Sequence, residues 1–356
     1  MGPRTVPAEG PIVLAVLYPR EWFADQTAFD ASLDAVRAVD PRIEVVTVPY
    51  DEGQHLRTLR GRPEGITAAR AEAPALTVAQ QAMFARVHGV LALDLPFDVG
   101  EVAPNLSWVQ GIGAGYAQLE SAGLAESGIR LTNAAGVNSV AISEFVIGRI
   151  LEERKGFREL HARQQQHRWE PVYAPELAGT TVGLIGLGAI NAGVARRLQA
   201  FDVHVLASRR SAAPGDTAPD VDELYPTARL HEMLGRCDTV VAAVPETPDT
   251  IGLMNGDAYA AMAPGSFFVN VGRGTLVEEP ALIDALQRGH LRGAALDVAS
   301  LEPLPPEHPL WDAPNLHLSY HCSSDPVALF PNLHRLWLEN VRRFVDGDPL
   351  LQQVSP

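Results

Sequence analysis

The sequence predicts an α/β protein of two domains, each built around a parallel sheet. Three observations carry this. The chain has 356 residues, enough for two compact domains of roughly 100–200 residues each. Short apolar runs alternate with segments of helical periodicity, the pattern of parallel strands joined by helical crossovers. A long helical pattern beginning at Ser139 interrupts this alternation once, after which it restarts. Hydrophobic residues make up 46% of the chain and charged residues 20%, which is material for a substantial core.

The elements follow in order. Residues 12–18 are almost continuously apolar between Pro11 and Pro19, which reads as a buried strand. Over 25–39, Phe29, Leu33, Val36 and Val39 recur at helical spacing, and 43–48 is a second strand. Residues 51–75 are rich in Arg, Gly, Pro and Glu and read as a long loop or insertion. A helix is expected over 77–87, then strands over 89–95, 106–111 and 129–132. The helical pattern from Ser139 runs to about residue 167, with Glu144 in its early turns, as a helix N-terminus prefers. Strands then fall over 181–185, 203–207, 239–244, 267–271, 293–298 and 316–319, with helices over 189–200, 231–234, 256–261 and 279–287 between them. Residues 325–345 form a last helical region, with Pro331 a candidate break and Gly347 a candidate C-cap. The expected division is 1–138 plus 321–356 as one domain and 139–320 as the other. The final helix follows the last strand of the second domain and must pack back on the first.

Composition narrows the function classes. The formal charge is −15, which disfavours non-specific binding to nucleic acid or to anionic lipid. The two cysteines, Cys237 and Cys322, have no paired spacing, so neither a disulfide framework nor a zinc knuckle is implied. Arg4 precedes the apolar run at residue 12, but that run is too short and too late for a secretory signal. No stretch approaches the ~18 apolar residues of a membrane helix. A cytoplasmic protein without membrane or nucleic-acid partners is the default expectation.

Gly186 and Gly188 lie in the run GLGAIN, between the strand TVGLI and a helix. A tight strand-to-helix turn needs a residue without Cβ at its first position. A second glycine lets the backbone approach a pyrophosphate at the positive helix end. With Ala189, Ile190 and Asn191 these form a candidate dinucleotide-binding loop of the Rossmann type. Asn191 stands where the fingerprint usually has a third glycine. Two readings stay open: its side chain pushes the helix from the strand, or it bonds a phosphate. Nicotinamide-adenine dinucleotide enzymes place an acid roughly 20 residues on, at the end of the second strand. Here that strand ends in Ser208, Arg209 and Arg210, and the next acid is Asp216. Guanidiniums instead of a carboxylate favour a 2′-phosphate, hence NADP(H) over NAD(H).

Three polar groups fall just past later strands, where open α/β sheets bind ligands. They are Arg273 in NVGRGTLVEEPAL, Glu302 in ALDVASLEPLPPEHPL and His321 in NLHLSYHCSS. From about Pro104 to about Leu350 the chain resembles the D-isomer-specific 2-hydroxyacid dehydrogenases, which include glyoxylate/hydroxypyruvate reductases. The GRG of 272–274, the LDV…EP of 296–303, the HPLW of 308–311 and the VPETPDT of 244–250 carry the resemblance most specifically.

The resemblance implies two Rossmann-like domains, a smaller substrate (catalytic) domain and a dinucleotide-binding domain, and a homodimer. It implies that Arg273 binds the carboxylate and reacting carbonyl of a small 2-oxo acid. His321 donates a proton to the carbonyl oxygen, and Glu302 bonds that histidine and raises its pKa. Ala114 and Gly115, in GIGAGY, match the loop whose amides bind the substrate carboxylate. Val244, Pro245, Thr250 and Asp297 fall on the cofactor side, although a structural cap is an equal reading for Asp297.

The departure at Ser319-Tyr320-His321-Cys322, where the family usually has Thr-Pro-His-Ile, alters the pocket wall. His317, His321 and Cys322 lack a further ligand cluster, so a metal is not expected. Arg57, Arg60 and Arg62 read as a solvated basic loop, with contact to substrate or phosphate as the alternative. Trp169 and Trp311 read as packing residues. A dinucleotide-sensing corepressor of the same family is the competing function. A methyltransferase lacks a use for the Arg–Glu–His set, and formate dehydrogenase has an amide where Glu302 stands.

Overall fold

The computed structural model describes residues 7, 9–213 and 215–354; Arg4 and the outermost residues of the expected domain spans lie outside these. Along the chain the first elements are β1 (Ile12–Val16), α1 (Gln26–Arg37), β2 (Ile43–Thr47), α2 (Gly53–Arg60), α3 (Ile66–Glu72), α4 (Val78–Phe84) and β3 (Gly89–Ala92). Then come α5 (Val99–Val102), β4 (Trp108–Gly111), α6 (Ala117–Glu120), β5 (Arg130–Thr132), α7 (Ser139–Arg154) and α8 (Phe157–Gln165). The next group is β6 (Thr181–Ile185), α9 (Ala189–Leu198), β7 (His204–Ser208), β8 (Glu223–Tyr225), α10 (Leu230–Leu234) and β9 (Thr239–Ala242). The last are α11 (Gly256–Ala261), β10 (Ser266–Asn270), α12 (Glu279–Gln287), β11 (Leu291–Leu296), β12 (Leu316–Leu318), α13 (Pro326–Asp346) and β13 (Gln353–Val354).

These elements divide into two compact units: Met1–Val137 with Pro326–Pro356, and Asn138–Asp325. Residues 321–325, placed above with the first domain, fall in the second unit, because bonds to Asp297 tie that loop to the end of β11.

The first unit carries a six-stranded sheet in the order β13-β5-β4-β3-β1-β2. Five strands are parallel, and β13, which the sequence did not disclose, pairs antiparallel with β5. All five residues of β1 are buried, as a central strand covered on both faces requires. One face packs Ile12, Leu14 and Val16 against Phe29, Leu33 and the α13 residues Leu333, Trp337, Val341 and Phe344. Helix α13 runs unbroken through Pro331. The proline removes one amide in the second turn, and the buried apolar stripe on either side outweighs that loss.

Residues 51–75 are not a structureless loop. Helices α2 and α3 occupy most of it, joined by a turn at Pro63–Gly65. Arg57 and Arg60 are likewise not solvated. Arg60 is buried and pairs with the equally buried Glu52 at 2.5 Å, and Arg57 bonds Asp94 at 2.9 Å. Only Arg62 of the three is exposed.

His334 of α13 is 4% exposed and lies against the Tyr18 hydroxyl and Ser32. Burial holds its pKa down, to about 4. The folded chain keeps this imidazole neutral, whereas the unfolded chain protonates it near its ordinary value of 6.5. Its contribution to stability is therefore complete above pH 6.5 and is lost as pH falls toward 4. By pH 5 the loss should reach about 2 kcal/mol. Buried Trp108 and Trp337 report unfolding of this unit by fluorescence. In denaturant titrations, His334→Gln should lose less stability than the parent between pH 7 and 5; equal losses would refute the assignment.

The second unit carries a seven-stranded sheet, β12-β11-β10-β9-β6-β7-β8, whose six pairings are all parallel. The chain leaves β6 to one side for β7 and later returns to its other side with β9. The crevice beyond the carboxyl ends of β6 and β9 is thus the switch point, where such sheets bind ligands. The long helix expected over 139–167 is two helices, α7 and α8, separated at Gly156, whose backbone is left-handed (φ +64°). Trp169 does not pack: it is fully exposed after α8. Trp311 is partly exposed and lies 5.8 Å from the Tyr320 ring. Among the described residues no helix is long and apolar enough to cross a membrane.

Candidate active site

The loop after β6 has the form that its glycines require. Gly186 is left-handed (φ +80°), and a Cβ there would lie 2.5 Å from Val244 Cγ1. A Cβ on Gly188 would meet nothing within 4 Å, so that position is open to a ligand. Gly188 is the N-cap of α9 and supplies no side-chain cap, which leaves the first-turn amides at Ala189 and Ile190 without that partner. Residues 185–188, Ser208, Arg209, Arg210, Val244, Pro245 and Thr250 line one cavity of about 530 Å³. That is the volume of an ordinary cofactor cleft.

The Thr250 hydroxyl donates to the Pro245 carbonyl at 2.7 Å and accepts from the Thr247 amide at 2.8 Å, closing the 245–250 loop. Arg209 is partly exposed, 3.8 Å from Asp216, and its buried Nε has no partner among the described residues. A mobile anion beside it would meet an under-used guanidinium. Glycines, helix end, cleft and arginines therefore fit a dinucleotide. Asn191 is buried, and its amide donates to the carbonyls of Ile185, at the end of β6, and Gly186, in the loop.

Arg273, Glu302 and His321 follow the ends of β10, β11 and β12, all in the second unit. The GRG turn has a steric cause at Gly274, where a Cβ would lie 1.9 Å from the Ala299 carbonyl carbon. Buried Asn270 frames this turn, accepting from the Gly272 amide at 3.0 Å and donating to the Arg273 carbonyl at 2.9 Å. Arg273 Nη1 donates to the Gly272 carbonyl at 2.7 Å.

Glu302 is held at both oxygens: Oε1 accepts from the Ala299 amide at 2.9 Å, and Oε2 faces His321 Nδ1 at 2.8 Å. The hydrogen bond to Glu302 is the largest influence on His321 and raises its pKa above the ordinary value. Burial works against it, and the Glu302 and Asp297 charges add to it. Burial alone would push Glu302 up, but His321, the Ala299 amide and the Arg273 charge together hold it below the ordinary value. With Nδ1 occupied, Nε2 is the ring nitrogen left to meet a substrate.

Asp297 serves the loop rather than the cleft. It is 3% exposed, and its carboxylate accepts from Ser319 Oγ, the Cys322 amide, and both the amide and hydroxyl of Ser323. Its carbonyl accepts from the His321 amide at 2.6 Å. Tyr320 and His321 are both left-handed (φ +55° and +58°), a costly backbone for non-glycine residues that these bonds over-determine. Ser323 and Asn270 were not foreseen, and Ser319 was read as part of an altered pocket wall. Asn270, next to the GRG turn, had a local signal; Ser323 had none. His317 is also occupied, near Glu152, Glu153 and Arg158, and no group among the described residues is arranged to hold a metal.

Ala114 and Gly115 belong to the first unit, in the exposed loop after β4. Asn133 Nδ2 donates to the Ala114 carbonyl at 2.9 Å, and the Ala134 amide donates to the Gly113 carbonyl at 2.8 Å.

The family model described as D-isomer specific 2-hydroxyacid dehydrogenase, NAD binding domain, matches residues 147–323. A glyoxylate reductase of Thermofilum pendens is 32% identical over 263 residues, 70% of this chain and 75% of that protein. A D-isomer specific 2-hydroxyacid dehydrogenase of Xanthobacter autotrophicus, solved with NADPH and MES, superposes with a TM-score of 0.74 at 26% identity, covering 98% of this chain and 99% of its own. An NADPH-dependent glyoxylate/hydroxypyruvate reductase of Sinorhizobium meliloti, solved with NADP and sulfate, gives 0.72 at 26% identity, covering 98% of each chain. The glycine loop, the cleft and the paired Glu302 and His321 thus sit in a chain that belongs to the D-isomer specific 2-hydroxyacid dehydrogenases, a family of NAD(P)-dependent oxidoreductases.

Proposed function

We propose that the protein reduces a small 2-oxo acid, of the glyoxylate or hydroxypyruvate kind, to the D-2-hydroxy acid, and that it uses NADPH in preference to NADH. The observation that carries this reading is the 2.8 Å pairing of His321 Nδ1 with a Glu302 carboxylate that is itself fixed by the Ala299 amide. When bound, the cofactor supplies a hydride to the carbonyl carbon. Arg273 holds the substrate carboxylate, as a planar fork suits a planar anion. His321 Nε2 gives a proton to the carbonyl oxygen, so that the carbon gains hydride and the oxygen gains a proton. Glu302 keeps the imidazole protonated and fixes which nitrogen faces the substrate. Ser208, Arg209 and Arg210 meet the adenosine ribose and its 2′-phosphate.

The test is NADPH and NADH consumption with a panel of 2-oxo acids, followed across pH. Because the His321 pKa is raised, its acid form persists above the ordinary histidine range, and reduction should fade only as pH rises through the raised value. Glu302→Gln removes the carboxylate whose hydrogen bond and charge raise it, so the alkaline limb should move to lower pH. An unchanged limb, or no turnover of any 2-oxo acid by the parent, would count against the reading.

A further inference from the structure

The third position of the glycine fingerprint holds Asn191, which is 0% exposed. Its Nδ2 lies 2.7 Å from the Gly186 carbonyl, 3.0 Å from that of Ile185 and 3.5 Å from that of Val241. Three carbonyls round one nitrogen identify it as the donor end of the amide. The two peptide planes at the start of the loop are not held alike. The Ile185 carbonyl also accepts from the Ala243 amide, and the Gly186 amide donates to the Ser208 carbonyl. The Gly186–Leu187 plane has its carbonyl on Asn191. In a trans peptide the C=O and the following N–H point to opposite sides. Drawing the Gly186 oxygen inward therefore turns the Leu187 N–H away from the buried amide, in a loop that lines the cleft.

Asn191 Oδ1 is buried without a hydrogen-bond partner among the described residues. An unmet buried acceptor is a cost to folding, one that the usual glycine would not incur. Packing alone does not account for this residue, whereas a fixed loop does.

From this we infer that Asn191 is a positioning residue for the dinucleotide: its amide locks the Gly186–Leu187 peptide so that the loop is set for a pyrophosphate before the cofactor arrives. The inference rests on the dinucleotide reading of this cleft. It predicts that Asn191→Gly and Asn191→Ala each weaken cofactor binding by about tenfold, the scale of one well-placed hydrogen bond lost from a preorganised loop. The pyrophosphate is common to both cofactors, so the dissociation constants for NADPH and NADH, read from nucleotide fluorescence, should rise by the same factor. Their ratio, set at the ribose, should stay as in the parent. In kinetics KM for cofactor should rise while kcat at saturating cofactor holds, and the unfolding midpoint without nucleotide should change little.

Parent-like dissociation constants in both variants would overturn the inference. So would a loss of affinity that accompanies a lowered unfolding midpoint and a fall in kcat, since that describes a generally loosened unit. A parent protein that binds neither nucleotide is a separate result: it overturns the dinucleotide reading, and this inference with it.

Discussion

Replacing His321 by alanine should lower the turnover of a 2-oxo acid by ~10²–10⁴-fold, the usual contribution of a positioned proton donor. His321 is not among the residues lining the cavity of the glycine loop and the arginines, so NADPH binding read by fluorescence should be retained. That separation is what makes the experiment informative. A loss of turnover with cofactor still bound isolates the proton step, whereas a loss of both would indicate a damaged fold. Arg273→Ala should share the loss and also raise KM for the 2-oxo acid, because a carboxylate fork acts in the bound substrate as well as in the transition state. Near-normal turnover in either variant at neutral pH would remove that residue from the proposed chemistry.

Arg209→Asp should shrink or reverse the preference for NADPH. A 2′-phosphate carries nearly two negative charges, and a charge-assisted bond from a guanidinium is worth ~1.5–3 kcal/mol, or roughly ten- to a hundredfold in affinity. Arg209 is well placed to supply it. It lines the cleft beside Ser208 and Arg210, and its only ion pair among the described residues is the 3.8 Å contact with Asp216. An exposed pair of that length is weak, so it gives way to a phosphate at little cost. The preference should also decline as salt rises. KM values for NADPH and NADH, measured at low and high ionic strength in the parent, Arg209→Ala and Arg209→Asp, decide the matter. Equal KM values at low salt, or an NADH preference that Arg209→Ala leaves untouched, would mean that other groups hold the adenosine ribose.

Much of the chemistry could be read along the chain because it depends on near neighbours. The turn at Gly186, the start of the helix behind it and the arginines following β7 each occupy a few consecutive residues. So do the GRG turn and the segments bearing Glu302 and His321. Strand and helix positions were similarly accessible, since periodicity is a property of adjacent residues. The strands 181–185 and the helices 256–261 and 279–287 appear at the expected bounds. Errors gathered where local composition points one way and distant partners another. Residues 51–75 look like a charged loop until Glu52 and Asp94 are seen to neutralise Arg60 and Arg57, the second pair 37 positions apart. Pro331 looks like a break until α13 is seen buried along one side against the first sheet.

The sequence by itself determined the fold class, the family, the glycine loop and the identity of the three polar residues at the strand ends. Tertiary structure decided what each of those residues has as a partner. Asp297 reads equally as a ligand or a cap; its buried carboxylate became the anchor of the His321 loop only because β12 is laid beside β11, bringing Ser319, Cys322 and Ser323 within reach. Asn191 reads as a blemish in a glycine motif, and its role as a clamp on the Gly186 carbonyl appears only when α9 folds back over β6. The raised pKa of His321 likewise depends on Glu302, 19 residues away, being held at 2.8 Å. A hydrogen bond or a charge interaction depends on distance in space, and spacing along the chain fixes that distance only within a turn or two of a helix or a single strand.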